Sequence, residues 1–261
     1  MHSKKFWQLI FLLLSYVLHS SAFADEFCPT SEELLSKVSD WGVVSKIIDG
    51  DTVHLKDGRK IRLIGINTPE IGRHGEASQP FARQAYDVLV KLLKNNKRIG
   101  LSYDIDRKDR YKRILAYITL TNGQSIEQAL LSKGLAHSIV VPPNDSRIKC
   151  YRYLEKKARE ANLGLWKLSE NQWIRARNLS SKAKGLRYIS GVISAYSESK
   201  KSIYLKLSSK LSIRIAKKDK KYFSEINLKE LNGRRIRVRG WANTYKGRQS
   251  ISVRTSHDFS L

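Results

Sequence analysis

A tight turn between two short segments of alternating residues is the feature that most constrains how this chain can fold. Residues 53–55 read Val-His-Leu, residues 61–64 read Ile-Arg-Leu-Ile, and the dipeptide Asp57-Gly58 stands between them. Asp-Gly flanked by alternating apolar residues is a strong signal for a β-hairpin. The sequence therefore predicts local antiparallel β-structure in this part of the chain.

The predicted hairpin also implies which side chains share a face. If Asp57 and Gly58 are the two central residues of the turn, Val53 faces Arg62. Side chains alternate between the two faces of a strand, so Asp51 and Arg62 would lie on the same face, diagonal to each other. A register shifted by one residue would break this arrangement.

The periodicity of the surrounding sequence predicts helices interleaved with further strands. The predicted helices are 31–38, 80–93, 125–133 and 147–162, and the predicted strands are 41–48, 53–55, 61–64, 99–103 and 114–120. Most neighbouring strands are close in sequence, which favours antiparallel pairing. This order predicts a mainly β fold with helices (α+β), in which the helices pack on a small barrel.

The first 24 residues are predicted to be a secretory signal peptide. Two lysines precede an apolar run from Phe6 to Leu18, and Ala22-Phe23-Ala24 has the small-x-small pattern of a cleavage site. The run has 13 residues, which is short for a membrane-spanning helix, although an uncleaved anchor is the alternative. We therefore expect a secreted or periplasmic protein without stable membrane insertion after cleavage.

Two cysteines, Cys28 and Cys150, remain after that cleavage. In an oxidising compartment such a pair is expected to form a disulfide, and two separate thiols are the alternative. A zinc site is disfavoured, because neither cysteine has a second Cys or His at ligand spacing.

A change in composition near residue 178 predicts two domains. We expect a first domain over residues 25–177, a linker over 178–187 and a second domain over 188–261. Five short alternating segments in the second domain predict a smaller, OB-like β-barrel.

The charge of the chain predicts a polyanionic partner. There are 49 Lys and Arg against 24 Asp and Glu, a formal charge of +25, and residues 182–261 alone hold 20 Lys or Arg against 5 Asp or Glu. A protein this basic attracts polyanions at long range. DNA or RNA is the leading partner, and an anionic membrane or cell-wall polymer is the alternative. We expect a monomer.

A cluster of oxygen-bearing side chains lies close to the hairpin in sequence. Its members are Asp49, Asp51, Asn67, Thr68 and Glu70. Hard oxygen ligands near a turn suit Ca²⁺ or Mg²⁺. Two carboxylates at a turn are, on their own, more often turn or capping residues.

Two arginines stand in or beside apolar strands. Arg62 interrupts the segment 61–64, and Arg113 directly precedes the strand predicted at 114–120. A guanidinium in such a place needs a carboxylate partner or an anionic ligand, and its planar fork fits phosphate. Carboxylates, a metal and two arginines on one patch would supply what phosphodiester hydrolysis requires.

Three segments give the chain a specific family resemblance. They are Ile48-Asp49-Gly50-Asp51-Thr52-Val53, Arg62-Leu63-Ile64-Gly65-Ile66-Asn67-Thr68-Pro69-Glu70 and Asp109-Arg110-Tyr111-Lys112-Arg113. In this order and near this spacing they resemble the signature stretches of the staphylococcal nuclease (thermonuclease) family, over about residues 41–168. The resemblance implies a five-stranded OB-type barrel with three helices, and an endonuclease that hydrolyses phosphodiester bonds of DNA and RNA.

The resemblance further implies a metal site and a general base. Asp51, with Asn67 and Thr68 from the same cluster, would hold one Ca²⁺, with Mg²⁺ or another divalent ion as the alternative. Glu70 would activate the attacking water. Asn67 stands where the family usually has a calcium-binding Asp, so we expect weaker calcium binding or a shifted metal preference.

The resemblance also implies how substrate is held. Arg62 and Arg113 would hold the scissile phosphate and stabilise the transition state, and Arg110 and Tyr111 would contact substrate beside them. Lys112 replaces a usual Gly, which is expected to alter the loop that presents Arg113.

A second basic cluster lies in the C-terminal domain. Arg235, Arg237 and Arg239 occupy alternate positions of a predicted strand and so share one face. Basic residues beside aromatic ones are typical of OB-folds that bind single strands, and we expect these arginines to contact substrate. A solvated basic face with the aromatic residues in the core is the alternative.

Two functions are consistent with these patterns. The leading interpretation is an exported, calcium-dependent nuclease whose basic second domain holds the substrate. The alternative is a non-catalytic envelope protein that binds nucleic acid or another polyanion and has a decayed metal site. Asn67 favours the alternative, whereas the presence together of Asp51, Arg62, Glu70 and Arg113 favours the enzyme.

Overall fold

The computed structural model describes residues 27–245 and 247–260, which form two compact units. The first unit contains residues up to 138 together with 146–161, and the second contains 139–145 together with the residues from 162 onward. The predicted signal peptide, residues 1–24, lies outside the described residues. Within the described ranges, no helix is both long and apolar enough to span a bilayer.

The boundary between the units lies earlier in the chain than the predicted linker at 178–187. Residues Trp173–Arg175 pair in parallel with residues 188–190 and so belong to the second unit. Part of the predicted linker is itself strand, since one begins at Gly185. The composition change marked a loop, whereas the units are separated by which residues contact each other in space, which composition does not report.

The first unit contains helices and strands in the predicted order. The helices are α1 (Ser31–Ser36), α2 (Ala82–Leu92), α3 (Ile126–Ser132) and α4 (Ile148–Glu160), and the strands are β1 (Asp40–Asp49), β2 (Thr52–Leu55), β3 (Lys60–Leu63), β4 (Ile66–Asn67), β5 (Arg98–Ser102), β6 (Ile114–Leu120) and β7 (His137–Ser138). Side-chain caps explain two of the helix starts. The hydroxyl of Thr30 accepts from the N–H of Glu33 in a capping box, and the hydroxyl of Ser125 accepts from the N–H of Gln128.

A closed barrel forms the centre of this unit, with the strand order β1-β2-β3-β6-β5. Strands β3 and β6 are parallel, and the other neighbours are antiparallel. The barrel closes because the first half of β1 pairs with β5 and its second half pairs with β2. This confirms the predicted fold class.

Alternate residues of the barrel strands and one face of each long helix form the core. Its fully buried members include Val53, Ile61, Leu63, Ile99, Leu101, Ala85, Leu89 and Leu130. Each aliphatic side chain of this size stabilises the fold by roughly 1.5–3 kcal/mol when it is buried. The residues between them on the strands point outward, where the site described below is formed.

The hairpin between β2 and β3 differs from its predicted register by one residue. Thr52, and not Val53, pairs with Arg62. The loop contains the three residues 56–58 rather than two, and Gly58 has a φ of +86°. A type I turn followed by a left-handed glycine is a common form of three-residue hairpin, and the sequence did not distinguish it from a two-residue turn.

The predicted disulfide between Cys28 and Cys150 is present, with a Cα–Cα distance of 4.6 Å. It joins the segment before α1 to α4 across a sequence separation of 122 residues. Closing a loop of this length stabilises the folded state by about 4–5 kcal/mol in the chain-entropy model.

The second unit is mainly β-structure. Its strands are β8 (Trp173–Arg175), β9 (Gly185–Val192), β10 (Ala195–Glu198), β11 (Ser202–Lys206), β12 (Leu211–Ala216), β13 (Arg235–Tyr245), β14 (Arg248–Val253) and β15 (Phe259–Ser260). Short 3₁₀ helices at 164–167, 169–171, 176–178, 217–223 and 256–258 connect or flank them.

The second unit repeats the strand connectivity of the first barrel. Strands β9 and β10 are consecutive halves of one stretch of chain, and they pair with β13 and β11 respectively. From β11 the order continues β12-β14-β13, and β12 and β14 are parallel, as β3 and β6 are in the first barrel. This connectivity matches the predicted OB-like second barrel.

Candidate active site

The turn between β1 and β2 presents two buried aspartates, Asp49 and Asp51, which are 5% and 2% exposed. The N–H of Asp51 donates to Oδ1 of Asp49 at 3.1 Å, and the hydroxyl of Thr52 donates to Oδ1 of Asp51 at 3.1 Å. A Cβ on Gly50 would lie 2.8 Å from a methyl carbon of Thr68. Glycine is therefore required for this turn to pack against the segment that follows β4.

Asp51 connects this turn to the other predicted ligands. Its Oδ2 accepts from the N–H of Thr68 at 2.8 Å and lies 3.1 Å from Nη2 of Arg62. The same Nη2 donates to Oδ1 of Asn67 at 3.3 Å. Arg62 therefore contacts both Asp51 and Asn67, two of the side chains that the sequence predicts as metal ligands.

The backbone fixes the orientation of the Arg62 guanidinium. Ile61 and Leu63 enter the barrel, so the alternation of β3 places Arg62 on its outer side. Nη1 of Arg62 donates to the carbonyl oxygens of Leu63 and Ile66 at 2.7 and 3.0 Å. The charged fork is therefore positioned without any ligand.

The residues around Asp51 fit a hard divalent cation. Asp51 offers a buried carboxylate and Asn67 an amide oxygen, and the buried hydroxyl of Thr68 has no hydrogen-bond partner within the described structure. Ca²⁺ takes oxygen donors of these kinds. Among residues 27–245 and 247–260, no three His, Cys, Asp or Glu side chains are grouped so as to hold a metal, so a cation here would also need the oxygens of Asn67 and Thr68.

A loop closed by two reciprocal hydrogen bonds presents Glu70. The N–H of Glu70 donates to Oε1 of Gln79, and the N–H of Gln79 donates to the carbonyl oxygen of Glu70, both at 3.0 Å. A further bond from the N–H of Gly72 to the hydroxyl of Ser78, at 3.1 Å, braces the same loop. Sequence reasoning did not single out Gln79, because its effect depends on a contact nine residues away.

Electrostatics place Glu70 among the other site residues. Partial burial and then the negative charge of Asp51 raise the pKa of Glu70. Three positive charges oppose that rise, those of Arg62, Arg73 and Arg113. The glutamate and both predicted catalytic arginines are therefore within electrostatic reach of each other. Arg73 is an exposed residue of the Glu70 loop, and no pattern in the sequence indicated that it would lie near the site.

Asp49 lies in the same negative field. Burial, and then the charge of Asp51, raise the pKa of Asp49 to about 7. Two buried carboxylates separated by one residue repel each other, so a cation beside them would be favoured.

Strand pairing brings the two arginines to adjacent strands. Ile61 of β3 pairs with Ile114 of β6, so Arg113, one residue before Ile114, lies near the start of β3. Arg62 is aligned with Leu115. Arg113 lies two residues before Leu115 and immediately outside β6, so the alternation of β6 extended by one residue would put Arg113 on the same face as Arg62.

Asp109 organises the loop that presents Arg113. Its Oδ2 accepts from Nε of Arg113 at 2.8 Å, and its Oδ1 accepts from the N–H groups of Tyr111 and Arg113 at 2.9 and 3.0 Å. Lys112 in this loop has a φ of +64°, in the left-handed region that favours glycine. This backbone geometry explains why the resemblance places a glycine there and shows that Lys112 preserves the conformation.

Tyr111 forms an exposed platform beside Arg113. It is 64% exposed, and the guanidinium carbons of Arg110 and Arg113 lie 4.7 and 5.6 Å from its ring centroid. Arginines stacked on an aromatic ring combine positive charge with a flat surface, which suits a nucleotide phosphate and base.

Comparison with known proteins agrees with this geometry. Residues 60–168 match the family model described as staphylococcal nuclease homologue. The chain is 36% identical to the thermonuclease of Staphylococcus intermedius over 127 residues, which cover 48% of this chain and 74% of that protein. It is 33% identical to the thermonuclease of Staphylococcus hyicus over 169 residues, which cover 63% of this chain and 95% of that protein.

The chain belongs to the staphylococcal nuclease family. A further relative, endonuclease YncB of Bacillus subtilis (strain 168), is 34% identical over 131 residues, which cover 48% of this chain and 61% of that protein. The match to the family model ends at residue 168, before β8, so it does not extend to the barrel of the second unit.

The basic strand predicted in the second domain is only partly accessible. Arg235 and Arg237 of β13 are exposed, but Arg239 is 7% exposed and its guanidinium carbon lies 4.8 Å from the ring centroid of Tyr188. Arg237 lies 5.5 Å from the ring of Trp173. The alternation was predicted, whereas the ring that lies against Arg239 belongs to Tyr188 of β9, and the local pattern did not indicate the pairing of β9 with β13.

Proposed function

We propose that this chain is an exported, calcium-dependent nuclease that hydrolyses phosphodiester bonds of DNA and RNA. The observation that carries the proposal is the arrangement around Glu70, whose carboxylate lies in the electrostatic field of Arg62, Arg113 and the buried carboxylate of Asp51. A carboxylate, two guanidinium forks and an oxygen-lined cation site together supply the groups that phosphodiester hydrolysis needs.

Glu70 is the proposed general base. Its carboxylate is near the surface, so water reaches it, and its raised pKa brings it closer to neutral pH, where proton abstraction is more effective. The bonds between Glu70 and Gln79 hold its backbone in place. Accepting a proton from water would leave the hydroxide oxygen free to attack phosphorus.

Arg62 and Arg113 are the proposed phosphate ligands. Each guanidinium is held by carboxylates or carbonyls of the protein, so both are oriented before substrate binds. Forked donors of this kind match the oxygens of a phosphate and stabilise the negative charge that develops in the transition state. Arg110 and Tyr111 would contact the adjoining nucleotide from the exposed platform.

Asp51, Asn67 and Thr68 are the proposed ligands of one Ca²⁺, with Mg²⁺ as the competing ion. A bound cation at this position would supply positive charge against the phosphate oxygens. Asn67 contributes an amide where a carboxylate would add charge, so weak calcium binding is expected.

Export is proposed from the N-terminal sequence together with the disulfide. Residues 1–24 have the organisation of a signal peptide, and the Cys28–Cys150 disulfide suits an oxidising compartment. We expect the mature chain to be a monomer, with the basic second barrel assisting in substrate binding. Arg235 and Arg237 can contribute there, whereas burial removes Arg239 from such a role.

A degradation assay tests the function. The mature chain from Asp25 onward would be incubated with plasmid DNA and with RNA, in Ca²⁺, in Mg²⁺ and with chelator. We expect calcium-dependent cleavage that falls by at least about 100-fold in Glu70→Gln. Glu76→Gln, in the same loop and exposed, is the matched control and should cleave normally. Binding without cleavage in any metal would instead support the non-catalytic polyanion-binding protein.

A further inference from the structure

The outer face of the second barrel contains a groove of 880 Å³. Its floor is made of small hydroxyl side chains, Ser212 on β12 with Ser250 and Ser252 on β14. Ser212 and Ser250 are aligned across the two parallel strands, so the floor is continuous. A volume of this size falls within the range of roughly 300–1,000 Å³ that is typical of ligand sites.

The alternation of the strands creates this floor. On β12, Leu211, Ile213 and Ile215 are buried in the barrel, so Ser212 and Arg214 face outward. Strand β14 has the same pattern, with Ile251 and Val253 inside. Serine on the outer face leaves space above the sheet that a larger side chain would fill.

A tyrosine and an arginine stand side by side on one wall of the groove. Tyr204 of β11 is directly opposite Arg214 of β12, and Arg214 is aligned with Ser252 of β14. Both side chains are half-buried. Within the described part of the chain, neither the Tyr204 hydroxyl nor the Arg214 guanidinium has a hydrogen-bond or ion-pair partner. A half-buried guanidinium without a carboxylate is positioned for an anionic ligand.

A second tyrosine and arginine pair lies at the end of the β13–β14 hairpin. Tyr245 and Arg248 are opposite each other in register, and both line the groove. Tyr245 is 74% exposed, so its ring is accessible from solvent. The groove therefore has two aromatic faces, each next to a positive charge.

The charged side chains that line the groove are all positive. Its lining contains two arginines and no Asp or Glu. The nearest acid along β10, Glu198, is bonded to Lys217 at 2.7 Å, and that contact lowers the pKa of Glu198 to about 2. The ligand that complements this lining is anionic, has flat rings to stack and presents groups that hydrogen-bond to Ser, Asn and Gln.

We propose that this groove binds single-stranded nucleic acid, with bases stacked on Tyr204 and Tyr245 and phosphates bound by Arg214 and Arg248. Stacking of bases on aromatic side chains beside basic residues is how proteins hold single strands. A duplex keeps its bases stacked inside the helix, and an anionic polysaccharide has no aromatic face. The proposal deepens the nuclease function above, because it names where the second barrel would hold the substrate strand.

Binding to a fluorescent dT oligonucleotide of about 12 nucleotides tests the stacking residues. Fluorescence anisotropy would be measured on the mature chain in chelator, where cleavage is absent. We expect the double variant Tyr204→Ala/Tyr245→Ala to weaken binding about tenfold or more. The variant Tyr204→Phe/Tyr245→Phe keeps both rings and should bind within about twofold of the unmodified chain. Equal binding by the alanine and unmodified chains would overturn the proposal.

The salt dependence of the same binding tests the arginines. Loss of two phosphate contacts to a single strand reduces the slope of log K against log salt by about 1.4. We expect this reduction in Arg214→Gln/Arg248→Gln. Arg177→Gln/Arg234→Gln removes the same charge from exposed positions outside the groove and should preserve the slope. Equal slope changes in the two variants would show that only the general charge of the domain matters.

Two further measurements separate this proposal from the nuclease proposal. Heparin should bind the unmodified chain and the tyrosine-to-alanine variant equally, since it has no base to stack. If that variant instead lost heparin binding as strongly as dT binding, the assignment to nucleic acid would be overturned. If the chain bound dT through the groove but cleaved nothing in Ca²⁺, the groove proposal would stand and the nuclease proposal would be wrong.

Discussion

Nη2 of Arg62 lies 3.1 Å from Oδ2 of Asp51, so the proposed phosphate ligand is bonded to the proposed calcium ligand. The same guanidinium donates to the carbonyls of Leu63 and Ile66, which a lysine cannot contact together in that geometry. We expect Arg62→Lys to lower kcat for DNA cleavage by about 100-fold or more, with little change in the free energy of unfolding.

The control for that prediction is on the same hairpin. Arg59 pairs with Asp40 and Asp57, away from Glu70, and Arg59→Lys should retain activity. Steady-state cleavage rates compare kcat in the two variants, and urea denaturation compares their free energies of unfolding. A similar loss of kcat in the two variants would mean that the hairpin, and not the phosphate contact, limits the reaction.

Changing Asn67 to Asp is expected to tighten calcium binding. The added carboxylate places one more negative charge beside Asp51, and a Coulombic gain of about 1–2 kcal/mol corresponds to roughly 5- to 30-fold in affinity. Calorimetric titration with Ca²⁺ measures this effect. Asn122→Asp adds the same charge at a distant turn, where the side chain already accepts from the N–H of Gln124, and should leave affinity unchanged. If Asn67→Asp altered neither calcium affinity nor activity, the proposed ligand role of Asn67 would be wrong.

Gln79 is expected to act on catalysis through the position of Glu70. Removing its side chain leaves the N–H of Glu70 without the acceptor at 3.0 Å. We expect Gln79→Ala to lower kcat about tenfold through misplacement of the base, with little change in KM. The exposed Gln124→Ala provides the control. A rise in KM at unchanged kcat would assign Gln79 to substrate binding instead.

The left-handed backbone at Lys112 is expected to cost stability. A non-glycine residue in the left-handed region destabilises the folded state by about 1–2 kcal/mol. Glycine relieves this strain but destabilises the folded state by roughly 0.5–1 kcal/mol, because it makes the unfolded chain more flexible. Lys112→Gly should therefore raise the free energy of unfolding by up to about 1 kcal/mol. Lys133 has a φ of −87°, so Lys133→Gly relieves no strain and should destabilise by about 0.5–1 kcal/mol. Thermal and urea unfolding of both variants measure whether each substitution raises or lowers the free energy of unfolding. A loss of stability in both would show that the loop at Lys112 is not strained.

Stability is expected to fall as the pH rises from 4.5 to about 7. Burial raises the pKa of Glu155 from 4.5 to about 7. Between these values the native state keeps a proton that the unfolded chain has released, so folding becomes less favourable by about 3 kcal/mol across the window. Glu155→Gln still accepts from the N–H of Ser138 and should remove the part of this slope that Glu155 contributes, whereas the part from Asp49, whose pKa is also raised to about 7, should remain.

Urea denaturation at several pH values measures the slope. Glu160→Gln on the same helix is the control. Glu160 is exposed, and its ion pair with Lys156 is long, at 3.8 Å. A native protein that gained stability over Glu155→Gln with rising pH would show instead that Glu155 is ionised and paired with Arg159.

Much of the first barrel and its site followed from local sequence. The periods of two and about 3.6 residues located the strands and helices, because apolar side chains on one face must be buried. The segments around Asp51, Glu70 and Arg113 indicated the candidate site through their resemblance to the family. Each segment carries its own turn chemistry, which is complete within a few residues.

Other features depended on contacts between distant residues. The hairpin register changed by one residue because two turn types share the Asp-Gly signal, and the bond from Gln79 to Glu70 spans a loop. In the second barrel, Tyr188 of a distant strand covers Arg239.

Sequence alone thus determined that the chain forms a barrel, and it predicted a cluster of carboxylates and arginines beside the first hairpin, because these signals are local. Only the tertiary structure decided which outward residues meet. Ser252 lies on a strand far in sequence from the hairpin that holds Tyr204 and Arg214, and the order of strands in the barrel makes the three residues neighbours. Strand order is set by how the whole hydrophobic core closes, and no short segment carries that information.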